Sequence, residues 1–425
     1  MPMTQVFEQR LFPLLPDIVE EFGTPFHIVD MMGILETGRQ MNIAFSETPY
    51  RQFFAVKALP DPYVMQWLRQ ETGSGFDCSS VPELALARGV GARGVDIMFT
   101  SNNTSADEFR VARKEGGCRL NLDDISLVSD VKDPFPREIC FRINPGKQRT
   151  GNSIIGEPVK SKYGITVSQI VPAYRAARER GATTFGMHTM LCSNELRAGY
   201  MIDTVKMLLE FCILLKRRLG IKCAYVNMGG GFGIPYRPDQ KPLALHWMAG
   251  QIVRLLENFE KEHGWRPELF SECGRYVTGP HGVLVTSVIN EKRTYERYVG
   301  VDSGMQALMR PAMYDAYHHV DILDQLSGAR ISGPRKQMNV VGAICENIDR
   351  FASRRFLPKN TKKGNLVVVH DAGAHGLAMG FNYNGRLRPQ MLALMPSGKV
   401  IQTRRAETMK DLFRTTIFPP GFKNS

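Results

Sequence analysis

The sequence predicts an α/β protein: a (β/α)8 TIM-type barrel with a second, mostly β C-terminal domain. Three observations carry this prediction. Eight short apolar runs of strand type recur with starts roughly 20 to 46 residues apart. Segments with helical spacing of apolar residues lie between them. From about residue 284 that alternation stops, and strand-like runs follow one another without regular helices.

In chain order, a helical segment over 14–22 leads through Gly23-Thr24-Pro25 to a short strand over 26–30, and a helix follows over 32–45. The barrel strands are expected at 53–57, 75–78, 97–100, 119–122, 139–143, 185–190, 225–228 and 269–272. Helices are expected at 81–90, 105–115, 167–180, 204–219 and 243–262. Strands at 284–288, 298–301, 340–343, 366–369 and 391–395 build the second domain. The expected division is a barrel over 36–283 and a β-rich domain from 1–35 and 284–425, which the 26–30 strand joins. The low-complexity linker that would separate two independent domains is missing, so the β-rich part is expected to complete the active site.

Composition narrows the class. The chain has 425 residues, 43% hydrophobic and 23% charged, which is ordinary for a globular enzyme. Lys+Arg 54 against Asp+Glu 42 gives a net charge of +12, but the basic residues are scattered in short clusters such as Lys216-Arg217-Arg218. No aromatic-interleaved basic stripe is present, so the surplus reads as solvated surface with anion sites and not as a nucleic-acid interface. Eight cysteines form neither a CxxC pair nor a metal-ligand spacing, and the amino terminus lacks an apolar signal region. These features predict reduced thiols in a cytoplasmic protein without a bound metal. No run of 18 apolar residues would place it in a membrane.

The candidate site begins at Phe53-Phe54-Ala55-Val56-Lys57-Ala58-Leu59, an apolar run carrying one lysine. A lysine that snorkels to solvent is the ordinary explanation for such a residue. The alternative is a desolvated amine of lowered pKa, ready to form a Schiff base with a carbonyl. Lys57, Asp77, Asn102, Asp123, Asn144, His188, Gly229 and Glu272 all fall at or near carboxyl ends of predicted strands, which in a barrel converge on the catalytic face. Gly229-Gly230-Gly231 lets backbone N–H groups approach an anion, although tight turns use the same residues. Glu272 could bond and protonate a heteroaromatic nitrogen, and Arg275, three residues on, could clamp a phosphate or carboxylate. A reactive lysine, a phosphate cradle and an acid for a ring nitrogen together match the needs of pyridoxal 5'-phosphate.

At these residues the chain resembles the fold-type III pyridoxal-phosphate decarboxylases, and among them the diaminopimelate decarboxylases, over roughly residues 24 to 395. The resemblance rests on Phe54-Ala55-Val56-Lys57-Ala58, Gly75-Phe76-Asp77-Cys78-Ser79-Ser80, Ser161-Lys162-Tyr163-Gly164-Ile165, Gly229-Gly230-Gly231-Phe232-Gly233 and Glu272-Cys273-Gly274-Arg275. In the second domain it continues through Val301-Asp302-Ser303-Gly304, Arg310-Pro311-Ala312-Met313-Tyr314, Cys345-Glu346 and Asp371-Ala372-Gly373-Ala374.

The resemblance implies that Lys57 holds the cofactor as a Schiff base and that Glu272 keeps its ring nitrogen protonated. Cofactor contacts would come from Asp77, His188, Ser193, Gly229, Gly230, Gly231, Glu272, Arg275 and His375. Cys345 would be the proton donor, reaching the site from the other subunit of a homodimer with shared active sites. Arg275, Arg310, Tyr314, Glu346 and His375 would contact an amino-acid substrate, a distal carboxylate meeting Arg310 and a distal ammonium Glu346. That fits decarboxylation of meso-diaminopimelate to lysine. Three positions depart from the family pattern: Met190 stands where a ring-stacking histidine is usual, His375 where a tyrosine is, and Asn347 within the segment after Cys345. A decarboxylase of another L- or D-amino acid, an amino-acid racemase and a non-catalytic regulator are the rival readings. The racemase lacks a signature around Tyr314 or Tyr317, and a regulator has no need of Lys57, Glu272, Arg275 and Cys345 together.

Overall fold

The computed structural model describes residues 3–151 and 154–421. The chain forms two compact units, Met32–Pro280 and Met1–Met31 with His281–Ser425.

Among the described residues of the first unit, eight parallel strands close into a barrel: Tyr50–Ala55, Gly75–Cys78, Gly94–Phe99, Cys118–Leu122, Glu138–Asn144, Thr184–His188, Tyr225–Asn227 and Glu268–Ser271. The eighth pairs with the first, Leu269 opposite Tyr50, which leaves no open edge. Their near-continuous apolar character follows from burial on both faces. Phe53, Met98, Cys140, Tyr225 and Phe270 fill part of the interior, with the Tyr225 and Phe270 rings stacked at 4.4 Å between centroids. Gly186 makes room for that stack, since a Cβ there would lie 2.0 Å from the Tyr225 ring. Helices between strands start as their sequences dictate. Ser80 caps Val81–Gly89 through the Glu83 amide, and Ser105 with Glu108 forms a capping box at Ala106–Ala112.

Five expected barrel strands end one or two residues sooner than the sequence suggests, and three of these differences matter at the site. The first strand stops at Ala55, and Lys57 sits in a 3-10 turn, Val56–Ala58. The sixth stops at His188, so Met190 lies in the loop beyond it. The eighth stops at Ser271, leaving Glu272 just past its end.

The second unit is built on a mixed sheet. The 12-residue strand Gly282–Arg293 pairs antiparallel with Phe26–Asp30, Arg297–Val301 and Leu366–Val369. Phe26–Asp30 also runs parallel to Gln390–Leu394. Helices Gln5–Leu11 and Leu15–Phe22 cover one face, packing Phe7, Leu11, Leu15 and Ile18 against Phe26, Ile28, Val285 and Leu392. Strands Val320–Leu323, Arg350–Pro358 and Val400–Arg404 were not expected from sequence. Arg350–Pro358 carries Arg350, Arg354 and Arg355 among apolar residues, and that charge masks its strand character. No described helix is long and apolar enough to cross a membrane.

Phe270 is fully buried in the barrel interior. Phe270→Ala should therefore destabilise the protein by about 3–5 kcal/mol, read as a lower midpoint in urea denaturation at unchanged slope. A loss below about 1 kcal/mol would contradict this packing.

Candidate active site

The carboxyl ends of the barrel strands surround a cleft of about 370 Å³ lined by Lys57, Asp77, Asn102, Arg142, Met190 and Glu272, among others. The turn after the first strand lifts Lys57 out of the barrel wall. Its side chain keeps 46% exposure to the cleft, while its partner Asp77 has none. Lys57 Nζ donates to Asp77 Oδ2 at 2.6 Å. Burial works against the ammonium, but the carboxylates of Asp77 and Glu272 outweigh it and raise the Lys57 pKa above its ordinary value. This corrects the expectation of a lowered pKa: in the free site Lys57 is a held cation.

The two acids are pushed apart. Burial and the neighbouring Glu272 charge raise the Asp77 carboxyl against the pull of Lys57. Burial would raise Glu272 as well, but the His188 imidazole, the Lys57 ammonium and the Asn227 amide hold it well below the usual carboxylate range. His188 Nε2 donates to Glu272 Oε2 at 3.1 Å, and Asn227 Nδ2 donates to Glu272 Oε1 at 2.7 Å. Neighbouring titratable groups of opposite tendency are the pattern expected where acid and base roles are divided.

Asn227 also ties the glycine turn to this acid, because its Oδ1 accepts the Gly229 N–H at 2.9 Å. The Glu272 amide in turn donates to Gly229 O at 2.8 Å. Gly229 and Gly231 take φ of +70° and +96°. A Cβ at 229, 230 or 231 would come within 2.3, 2.4 or 2.6 Å of a backbone oxygen, so close backbone packing demands all three glycines. The Gly230 amide meets only a weak acceptor, the Met190 thioether, at 3.3 Å. Arg275 donates to Tyr236 Oη at 2.7 Å and to Ser193 Oγ at 3.2 Å.

The strand tips thus divide. Lys57, Asp77, Asn102 and Glu272 line the cleft, and His188 lies fully buried behind Glu272. Asp123 accepts from Arg142 Nε at 2.5 Å, and Arg142 also donates to Asn102 Oδ1. Asn144 is structural, its amide donating to the carbonyls of Pro158 and Tyr163. Sequence reasoning overlooked Arg142, Asn227 and Tyr236. Arg142 had the same signal as Lys57, a single cation inside an apolar run, Cys140-Phe141-Arg142-Ile143. Asn227 and Tyr236 had none.

The remaining candidates lie in the β-rich unit. Arg310 opens the short helix Arg310–Tyr314 and is buried, whereas Tyr314 at its end is exposed. Cys345 and Glu346 are exposed in the loop between Arg335–Val341 and Arg350–Pro358. The Cys345 amide donates to Asn384 Oδ1 at 2.7 Å, and Glu346 accepts a hydrogen bond from the Tyr383 hydroxyl. Asp349, a few residues on, is structural, accepting the Met305 and Ile344 amides. His375 is half-buried with φ of +56°.

The barrel residues fit pyridoxal phosphate. Lys57 offers a primary amine to the cleft, Glu272 is an ionised acid for the ring nitrogen, and Gly230, Ser193 and Arg275 offer donors to a phosphate. Asp77 Oδ1 and His188 Nδ1 are buried there without a hydrogen-bond partner in the free protein, as expected of a site built around a polar guest.

Comparison with known proteins agrees. Residues 33–279 match the pyridoxal-binding domain of the pyridoxal-dependent decarboxylases. Protein TabA of Pseudomonas amygdali pv. tabaci is 44% identical over 413 residues, 97% of this chain and 95% of its own. Diaminopimelate decarboxylase of Methanothermobacter thermautotrophicus is 33% identical over 410 residues, covering 95% and 94% of the two chains. The crystal structure of diaminopimelate decarboxylase from M. jannaschii in co-complex with L-lysine superposes with a TM-score of 0.87. It is 28% identical and covers 95% of this chain and 94% of that one.

Removing the Asp77 carboxylate should lower the Lys57 pKa, because the partner that favours its charged form is gone. In the cofactor-free protein at pH 8, Asp77→Asn should speed reductive methylation of Lys57 about tenfold or more, mapped by peptide mass. An unchanged rate would show that Asp77 does not control the amine.

Proposed function

This chain belongs to the pyridoxal-dependent decarboxylases, and within them we propose that it removes the α-carboxylate of meso-diaminopimelate to leave lysine and CO2. It is a carboxy-lyase and its cofactor is pyridoxal 5'-phosphate. The observation that carries the assignment is the Lys57 amine in the cleft, paired to buried Asp77 and backed by an ionised Glu272.

When bound, pyridoxal phosphate supplies the electron sink for the pair left when the Cα–carboxylate bond breaks. The chain does the rest. Lys57 Nζ is the amine that would hold the cofactor. Asp77, bonded to Nζ, would keep that amine oriented and in reach of a proton. Glu272, kept ionised by His188 and Asn227, holds a proton on the ring nitrogen. Gly230, Ser193 and Arg275 would hold the phosphate. After CO2 departs, Cys345 Sγ gives a proton to Cα and is reprotonated from water. Arg310 and Tyr314 engage the distal carboxylate of the substrate and Glu346 its distal ammonium.

The exposure of Cys345 and Glu346 supports a homodimer in which each copy supplies them to the other. All eight cysteines are free thiols, which supports a reducing compartment. A second substrate reading is favoured by Met190, whose thioether lines the cleft where the family pattern has a histidine. It is also favoured by the greater identity to protein TabA than to the diaminopimelate decarboxylases. In that reading the same apparatus decarboxylates a related L- or D-amino acid.

A CO2-release screen over meso-diaminopimelate and L- and D-amino acids decides. Release from meso-diaminopimelate with its rate dominating the panel is the expected result, and dominance by another amino acid would replace the substrate. Cys345→Ala should slow turnover about 100-fold or more while cofactor content stays full. Full activity in that variant would remove Cys345 from the mechanism.

A further inference from the structure

The β-rich unit contains a buried cation in contact with a buried histidine ring. Arg310 is 2% exposed and His318 is completely buried. Arg310 Nη1 lies 2.8 Å from His318 Nε2, and His318 Nδ1 lies 2.7 Å from the His370 carbonyl oxygen. A guanidinium has only donors and a carbonyl only accepts. Nε2 must therefore carry a lone pair and Nδ1 the proton, so both contacts are hydrogen bonds only when His318 is neutral and protonated on Nδ1.

The fold explains how the ring comes to be there. Val320–Leu323 runs antiparallel to Leu366–Val369, with Val320 opposite Val369. That register brings residues 318–319 beside 370, and the His370 amide donates to His319 O at 2.9 Å. The anchor for His318 is thus main chain at the end of a buried strand. On the other side of the ring, Arg310 begins a five-residue helix and lies only eight positions earlier in the chain.

We propose that His318 is a positioning residue for Arg310, fixing the guanidinium that receives the substrate's distal carboxylate. The proposal rests on the role given to Arg310 above. A carboxylate in place of His318 would orient the guanidinium as well, but it would also neutralise the charge that must attract the substrate. A neutral imidazole satisfies one N–H of the buried cation and leaves its charge intact. Asp371 is an acid that feels this charge, with burial pushing its carboxyl up to about 6 against the pull of the Met3 amide and of His370, His319 and Arg310.

The test uses the holoenzyme with His318→Leu, His318→Gln and Arg310→Ala, assayed by CO2 release from meso-diaminopimelate. His318→Leu should raise KM about tenfold or more while kcat stays within about twofold, since a hydrogen bond to a charged group is lost. His318→Gln retains an acceptor and should recover most of the KM. Loss of kcat, cofactor and thermal midpoint together in both variants would instead show a merely structural residue and overturn the proposal. If Arg310→Ala raises KM and His318→Leu does not, the positioning role fails while the role of Arg310 stands. If Arg310→Ala leaves KM unchanged, the role of Arg310 fails and the proposal with it. Independently of turnover, 15N imidazole shifts, assigned with His318→Gln, should show His318 neutral and protonated on Nδ1. A ring protonated on Nε2 overturns the proposal by itself.

Discussion

The contact on which the active site depends is the Lys57 ammonium against the buried Asp77 carboxylate, with Glu272 as a second negative charge close by. Two buried acids that share one environment cannot both be comfortably ionised. Here the conflict is resolved by unequal support. Glu272 has the donors of His188 and Asn227 and is held low, while Asp77 has Lys57 alone as its hydrogen-bonded counter-charge and is raised by burial and by Glu272. Because the Lys57 charge lowers the Asp77 pKa, any change in the charge of Lys57 would be felt at Asp77.

Barrel geometry makes this arrangement possible. Strands ending at Ala55, Cys78, His188, Asn227 and Ser271 deliver Lys57, Asp77, His188, Asn227 and Glu272 to one face, although these residues lie up to 215 positions apart in sequence. The glycine turn adds a mechanical link. Asn227 bonds both the Gly229 amide and the Glu272 carboxylate, so the glycine turn and the buried acid are set by one side chain. A shift in either would be felt by the other.

Much of this was legible in the sequence because the barrel repeats a simple local pattern, an apolar run ending in a polar residue. Lys57 stood out as a cation in an apolar run, and Glu272 and the glycines as residues of special chemistry at strand ends. What could not be seen was the electrostatic balance. The sign of the Lys57 shift depends on two carboxylates 20 and 215 positions away, which no segment of chain displays. Strand ends were also blurred, because the residues that leave the barrel wall, such as Val56 and Met190, are as apolar as those within it. Arg142 was missed although it showed the same pattern as Lys57, and the arginine-rich strand Arg350–Pro358 was hidden by its charge.

Of all the chain's amines, Lys57 is the one proposed to carry the cofactor. Borohydride reduction of the protein loaded with pyridoxal 5'-phosphate, followed by peptide mass mapping, tests it most directly. The expected product is a single stoichiometric phosphopyridoxyl group on the peptide containing Lys57, absent in Lys57→Ala. Stoichiometric labelling of another lysine, or an unchanged label in Lys57→Ala, would contradict it.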